Sequence, residues 1–345
     1  MRVVVQRYSA LGDILMLLPI LQAAKAQRPD LEIALVSRPY LAPLFKNFDI
    51  DFIPADLKGR HKGLFGLYRL ANEIYAGYQA DLVIDAHQVL RSKVVNRFLG
   101  FFGLPTFSIR KNRKERAALT RKKNKVFKPI RPVYKLYLEA FEKAGIAIDF
   151  DPKKAPIAPY KLMKSNSQWW DAEKGALNIG IAPTARHQGK QWPLEQMQYL
   201  MQSMGVNKVK IFLFGGPDEA PMLNALGENS GANFTVVAGA FSLDQEIALV
   251  KNLDFMISMD SSNMHLAAWA GTKVISIWGA THPYAGFKAY GQSDLNQIQI
   301  PAKKLSCRPC SVFGNKGCWR GDYACLNGIS HQQVRDYLNQ VISDS

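Results

Sequence analysis

Short runs rich in Val, Ile, Leu and Phe recur along the chain and alternate with longer segments of helical periodicity. A run that is apolar at nearly every position suits a strand buried on both faces, the condition of a parallel sheet covered by crossover helices. The predicted strands are Val3–Gln6, Leu31–Ser37, Ile50–Pro54 and Leu82–Asp85 in the first half. In the second half they are Leu177–Ala182, Val209–Phe214, Phe234–Ala238, Phe255–Ser258 and Lys273–Trp278, with helices such as Leu194–Met204 and Leu243–Asn252 between them. The pattern predicts an α/β chain of two doubly wound domains in succession. A length of 345 residues agrees, at roughly 150 residues per domain.

Pro152, Pro156 and Pro159 fall in one polar stretch, which disfavours helix and central strand and reads as a linker. The expected division is a first domain over 1–155, a linker over 156–175 and a second domain over 176–345 that ends in a cysteine-containing segment and a terminal helix. Open sheets bind ligands beyond the carboxyl ends of their strands, so the site is expected in a cleft between the domains. The opening run Val3–Val5 gives way to Arg7, and the longest apolar region, Ile14–Ala24, is broken by Pro19 and Gln22. Neither has the form of a secretion signal or a membrane span; a cytoplasmic protein with at most peripheral membrane contact is expected.

Forty-four Lys and Arg against twenty-eight Asp and Glu leave a net charge of +16, which favours an anionic partner. From Arg91 to Lys135 the only acidic residue is Glu115. Such a run is either a solvated face or a docking surface. Aromatic residues are not interleaved at stacking spacing, so no nucleic acid is expected.

Five polar loops follow predicted strands. Ser9-Ala10-Leu11-Gly12-Asp13-Ile14 follows the first, and Asp13 there is either a helix cap or a carboxylate placed to take a proton from a hydroxyl. Thr184, Arg186 and Lys190 share the loop before Trp192-Pro193, where an ammonium beside a helix start suits a phosphate. Asp260-Ser261-Ser262-Asn263-Met264-His265 begins a later helix and offers backbone N–H groups to an anion; His265 is either a ligand contact or a core histidine. Gly279-Ala280-Thr281 and Gly215–Glu219 add turns to the same rim, the latter with a carboxylate suited to ribose hydroxyls. Cys307, Cys310, Cys318 and Cys325 lie close together in sequence and are either free thiols or a zinc site, with knuckle spacing in the first pair alone.

In this order the motifs resemble the glycosyltransferase family 9 heptosyltransferases over nearly the whole chain. The resemblance rests on Ser9–Asp13 with Leu18-Pro19, Leu82–Asp85 with Arg91-Ser92, and Lys190-Gln191-Trp192-Pro193. It rests also on Ala238-Gly239 with Ser242-Leu243, and on Asp260–Ala268 with Gly279 and Thr281; the cysteine run and Cys325–Ser330 look like the tail of some members. It implies a GT-B architecture, two Rossmann-like domains facing across a cleft, and an inverting, metal-independent transfer of heptose from ADP-heptose to a lipopolysaccharide core acceptor, with no cofactor required. By that likeness Asp13 is the general base. Thr184, Arg186, Lys190, Glu219, Asp260, Ser261, Ser262, Asn263, His265, Gly279 and Thr281 hold the donor. Ser9, Arg91, Arg110 and Arg113 face an anionic glycolipid acceptor at the inner face of the inner membrane. The sequence departs from the family at Ser262, usually Gly, and at Ala280 and His282, usually Pro and Asp. Those departures leave open a same-fold transferase with another nucleotide sugar, beside the alternative of a non-catalytic basic binding protein.

Overall fold

Val3, Val4 and Val5 are fully buried because β1 (Arg2–Gln6) lies in the middle of a sheet, with a strand on each side and helices on both faces. The computed structural model describes residues 1–45, 47–161, 176–205 and 209–343. With β2 (Glu32–Ser37), β3 (Asp51–Pro54), β4 (Leu82–Asp85) and β5 (Thr106–Ser108), β1 forms a wholly parallel sheet of order β3-β2-β1-β4-β5. A second parallel sheet contains β6 (Leu177–Ala182), β7 (Val209–Leu213), β8 (Phe234–Val236), β9 (Phe255–Met259), β10 (Lys273–Trp278) and β11 (Gln297–Gln299). Its order is β11-β10-β9-β6-β7-β8. Both sheets are doubly wound, as the alternation of runs requires.

The nine predicted strands are all present, with ends displaced by one or two residues at most, the ordinary scatter of hydrogen-bond boundaries. The apolar-run pattern does not anticipate β5 and β11, which are three residues each, at sheet edges, with sequences TFS and QIQ.

The chain divides into two compact units, Met1–Asn112 with Arg131–Pro159, and Arg113–Ile130 with Tyr160–Ser345. In the first, α1 (Leu11–Gln27) is buried continuously from Ile14 to Leu21, so it is apolar on every side. Helices α2 (Gly63–Asn72) and α3 (Leu90–Phe101) pack on the opposite core with Leu67, Leu70, Val95 and Leu99. The proline-rich segment is not a free linker. Gln27 Nε2 donates to Asp149 O (2.7 Å), Asp149 N–H donates to Gln27 Oε1 (2.9 Å), and Gln22 Nε2 donates to Ile157 O (3.0 Å). The boundary falls at Pro159, so the expected linker over 156–175 overlaps the first unit; from residue 162 it lies outside the described residues.

The basic run also departs from its expected place. Helix α4 (Arg113–Thr120) and the chain to Ile130 belong to the second unit, where Leu119 and Ile130 pack with Ala285. Lys125 Nζ donates to the carbonyls of Ser306 (3.1 Å), Cys307 (2.7 Å) and Pro309 (2.9 Å). The run is apolar at 119 and 130 as well as basic, and those two positions decide where it packs.

Gly66 on α2 illustrates how closely the first unit is packed: a Cβ there would lie 2.3 Å from the backbone carbonyl carbon of His61. Helix propensity favours Ala over Gly by about 1 kcal/mol, whereas overpacking against rigid backbone costs about 1–3 kcal/mol. Gly66→Ala is therefore expected to lower the urea midpoint; a raised midpoint would show that this turn yields.

Candidate active site

In a doubly wound sheet the opening for a ligand lies at the carboxyl edge, where the strand order reverses. In the first unit this is between β1 and β4, and in the second between β6 and β9.

At the first switch point the chain leaves β1 through Arg7 and enters α1 two residues before Asp13. Asp13 is the third residue of α1, not its cap; its Oδ2 accepts from Ala10 N–H at a long 3.4 Å and from Arg7 Nη2 at 2.7 Å. The shorter, charged contact dominates. Asp13 remains 24% exposed while Arg7 is buried. The other arm of the guanidinium donates to Ala86 O beyond β4, and its carbon stands 5.8 Å from the centroid of the Tyr137 ring. Burial alone would lower the pKa of Arg7, but the charge of Asp13 and its neighbours outweighs it, and the net shift is upward.

Beside it, fully buried Asp85 accepts from His87 N–H and Gln88 N–H, both at 2.8 Å, from Ser92 Oγ at 2.8 Å and from Asn96 Nδ2 at 3.0 Å. This satisfied carboxylate shapes the turn from β4 into α3, on which Arg91 is exposed. Ser9, Arg91 and Arg110 thus follow β1, β4 and β5 at one edge of one sheet. Arg113 does not join them; it opens α4 in the second unit.

At the second switch point Lys190, at the end of a short 3₁₀ turn after β6, pairs with Asp260 after β9: Nζ lies 2.8 Å from Oδ2, with the side chains 16% and 6% exposed. Glycines allow the close approach. A Cβ at Gly314 (φ +74°) would lie 2.6 Å from Lys190 Cγ, and one at Gly279 would lie 2.7 Å from Gly189 O. Gly189 O accepts from Ala280 N–H at 2.8 Å, joining the loops after β6 and β10. Trp192 is buried beneath them and donates through Nε1 to Ile329 O at 3.0 Å.

Ser261 stands at the N-cap position of α5 (Ser262–Ala270), and Ser262 and Asn263 form its first turn, partly exposed, while His265 is buried one turn in. Glu219 folds back so that Oε2 accepts from Gly216 N–H at 2.6 Å. Thr184 and Glu219 line a cavity of about 430 Å³ with Gln188, Trp192, Tyr323 and Asn327. Arg186 is exposed on the same loop. Thr281 is buried, and among the described residues its hydroxyl has no hydrogen-bond partner.

Sequence reasoning missed Arg7 and Arg308. Buried Arg308 donates to the carbonyls of Gly279 (2.6 Å), Trp278 (3.2 Å) and Thr281 (2.9 Å), and to Gln299 Oε1 (3.0 Å). Burial brings its pKa down to about 10. Neither arginine carries a local signal, since Ala86 O for Arg7 and the carbonyls of Trp278, Gly279 and Thr281 for Arg308 are distant in sequence. The cysteines do not fit the zinc expectation: among the described residues no three His, Cys, Asp or Glu side chains are grouped to hold a metal ion. Burial pushes the Cys325 thiol up to about 12 and also raises Cys310.

Residues 68–315 match the sequence profile of glycosyltransferase family 9 (heptosyltransferase). The chain belongs to glycosyltransferase family 9. Lipopolysaccharide heptosyltransferase 1 of Campylobacter coli is 26% identical over 360 residues, covering all of both chains. Among solved structures, a glycosyltransferase family 9 protein of Veillonella parvula superposes with a TM-score of 0.75 at 22% identity, covering 100% of this chain and 98% of that one. The E. coli heptosyltransferase WaaC with ADP-2-deoxy-2-fluoro heptose gives 0.68 at 18% identity, covering 99% and 100%. The family accounts for the two-domain α/β glycosyltransferase fold. Among the described residues of this glycosyltransferase, no helix is long and apolar enough to cross a membrane.

His87 supplies a test of the first switch point. Burial, then Arg7 and Lys111, lower its pKa to about 3, while its Nδ1 accepts from Tyr8 N–H at 3.4 Å. The ring stays neutral when folded but protonates near 6.5 when unfolded, so stability is held above that pH and lost as pH falls. Between pH 7.5 and 5.5 the loss due to His87 is about 1.4 kcal/mol. Urea unfolding of His87→Gln at both values is expected to show a pH dependence smaller by that amount; an unchanged dependence would mean that the ring protonates in the folded protein.

Proposed function

We propose that this glycosyltransferase transfers heptose from ADP-heptose to a lipopolysaccharide core acceptor, with inversion and without a metal ion. The observation that carries the reading is the Lys190–Asp260 pair at the second switch point, close in sequence to the first turn of α5. Departure of a nucleoside diphosphate develops negative charge on its β-phosphate. The ammonium of Lys190 and the N–H groups that begin α5 meet that charge. Asp260 holds the ammonium in place until the diphosphate arrives. Glu219 and Thr184, on the wall of the neighbouring cavity, offer polar contacts to the nucleoside. Arg186, Ser261, Ser262, Asn263, His265, Gly279 and Thr281 complete the donor side.

Asp13 is the base. The acceptor hydroxyl oxygen forms its bond to the anomeric carbon as the bond from that carbon to the diphosphate oxygen breaks, and the hydroxyl proton passes to Asp13. A single displacement with one base inverts the anomeric centre. Arg7 is the positioning residue, since its other arm is anchored on Ala86 O. Ser9, Arg91 and Arg110 contact the anionic acceptor. The reaction runs in the cytoplasm on an acceptor at the inner face of the inner membrane.

Asp13→Asn is expected to reduce transfer by about 100- to 10,000-fold, with ADP-dependent thermal stabilisation unchanged. Lys190→Met is expected to lose that stabilisation, because a ligand bound only by the folded state raises its melting temperature. Full transfer by Asp13→Asn would remove the base. Stabilisation by UDP, GDP or CDP in preference to ADP would keep the transferase and replace the donor.

A further inference from the structure

The outer face of α2 and α3 in the first unit takes no part in the chemistry above. Phe65 is 91% exposed, Phe101 72% and Leu64 62%, while Tyr68 and Tyr75 are about half exposed. The inward positions of the same helices, Leu67, Leu70, Val95 and Leu99, already fill the core, so the outer side chains are surplus to folding. Ring contacts join the outer sides of the two helices. Tyr68 meets Phe98 and Phe102 edge-on at 5.3 and 5.8 Å, and Tyr75 stacks on Phe102 at 5.1 Å.

The charges around this face are of one sign. Arg69 and Lys93 are exposed, and Arg97 lies 5.2 Å over the Phe101 ring. Residues 58–77 hold one acidic side chain, Glu73, already engaged by Arg60 and His61; residues 90–103 hold none.

We propose that the α2–α3 face docks on an anionic lipid bilayer. Leu64, Phe65 and Phe101 enter the interfacial layer, and Arg69, Lys93 and Arg97 meet headgroup phosphates. Protruding single side chains suit a deformable partner, whereas a rigid protein partner would need a matching pocket for each. Two-fold pairing of copies through this face would set its cations against themselves. The inference rests on the reading above only for its purpose, which is to bring the enzyme to a membrane-borne acceptor. Its test therefore uses neither donor nor acceptor, and the two readings fail separately.

The full chain is floated with vesicles of phosphatidylcholine alone or mixed with phosphatidylglycerol, at low and high salt. The expected result is binding to the mixed vesicles, release by salt, and a fall in partition of at least about tenfold for Phe65→Ser/Phe101→Ser. Arg97→Gln is expected to weaken binding to mixed vesicles only. Both variants should keep the wild-type melting temperature. Equal binding by wild type and the double variant, or no vesicle binding by wild type, would overturn the proposal. So would a wild-type dimer in sedimentation that the double variant converts to monomer, since a second copy would then cover the face.

Discussion

A cation held by a carboxylate occupies the switch point of each sheet, and the order of the loops around it depends on that pair. Arg7 with Asp13 joins the ends of β1 and α1, and through Ala86 O the end of β4; Lys190 with Asp260 joins the loops after β6 and β9. The two pairs differ as their side chains differ. A planar guanidinium anchored on both arms is a fixed strut, which holds the Asp13 carboxylate in one orientation. An ammonium on a flexible stem, 16% exposed, can exchange a carboxylate for a phosphate with little rearrangement.

The second unit secures its rim by distributing positive charge over backbone carbonyls. Lys125, brought in with α4, donates to the carbonyls of Ser306, Cys307 and Pro309. The segment so held presents Arg308, which donates to the carbonyls of Trp278, Gly279 and Thr281. Burying a guanidinium is costly unless its N–H groups are satisfied, and satisfying them here orders the β10 loop, whose Ala280 N–H donates to Gly189 O in the turn that ends in Lys190. The cysteine-rich segment contributes to the site through an arginine, not through its sulfur atoms.

The central strands were legible because strands buried on both faces must be apolar at consecutive positions; Val3–Val5 and Val274 with Ile275 are examples. The edge strands β5 and β11 were not, because a three-residue strand at an edge needs no apolar run. The site loops were legible as positions, since glycines and small polar residues directly after strands mark where a ligand can approach the backbone. Their pairings were not. Nothing near Arg7 in sequence announces Ala86 or Tyr137, and nothing near Lys125 announces the carbonyls of the cysteine segment. Asp13 shows the difference in one residue: its sequence position permits a cap or a base, and only the 2.7 Å contact with Arg7 against the 3.4 Å contact with Ala10 N–H ranks its interactions.

By itself the sequence determined the class of fold, the family, and the loops in which charged and polar groups gather, because periodicity and turn chemistry are local properties of the chain. Tertiary structure alone decided which cation meets which carboxylate, that residues 113–130 join the second unit, and that four neighbouring cysteines leave their sulfur atoms ungrouped for a metal. Those outcomes depend on distances between segments far apart in sequence, and on which of several apolar or charged side chains in a segment wins the available burial.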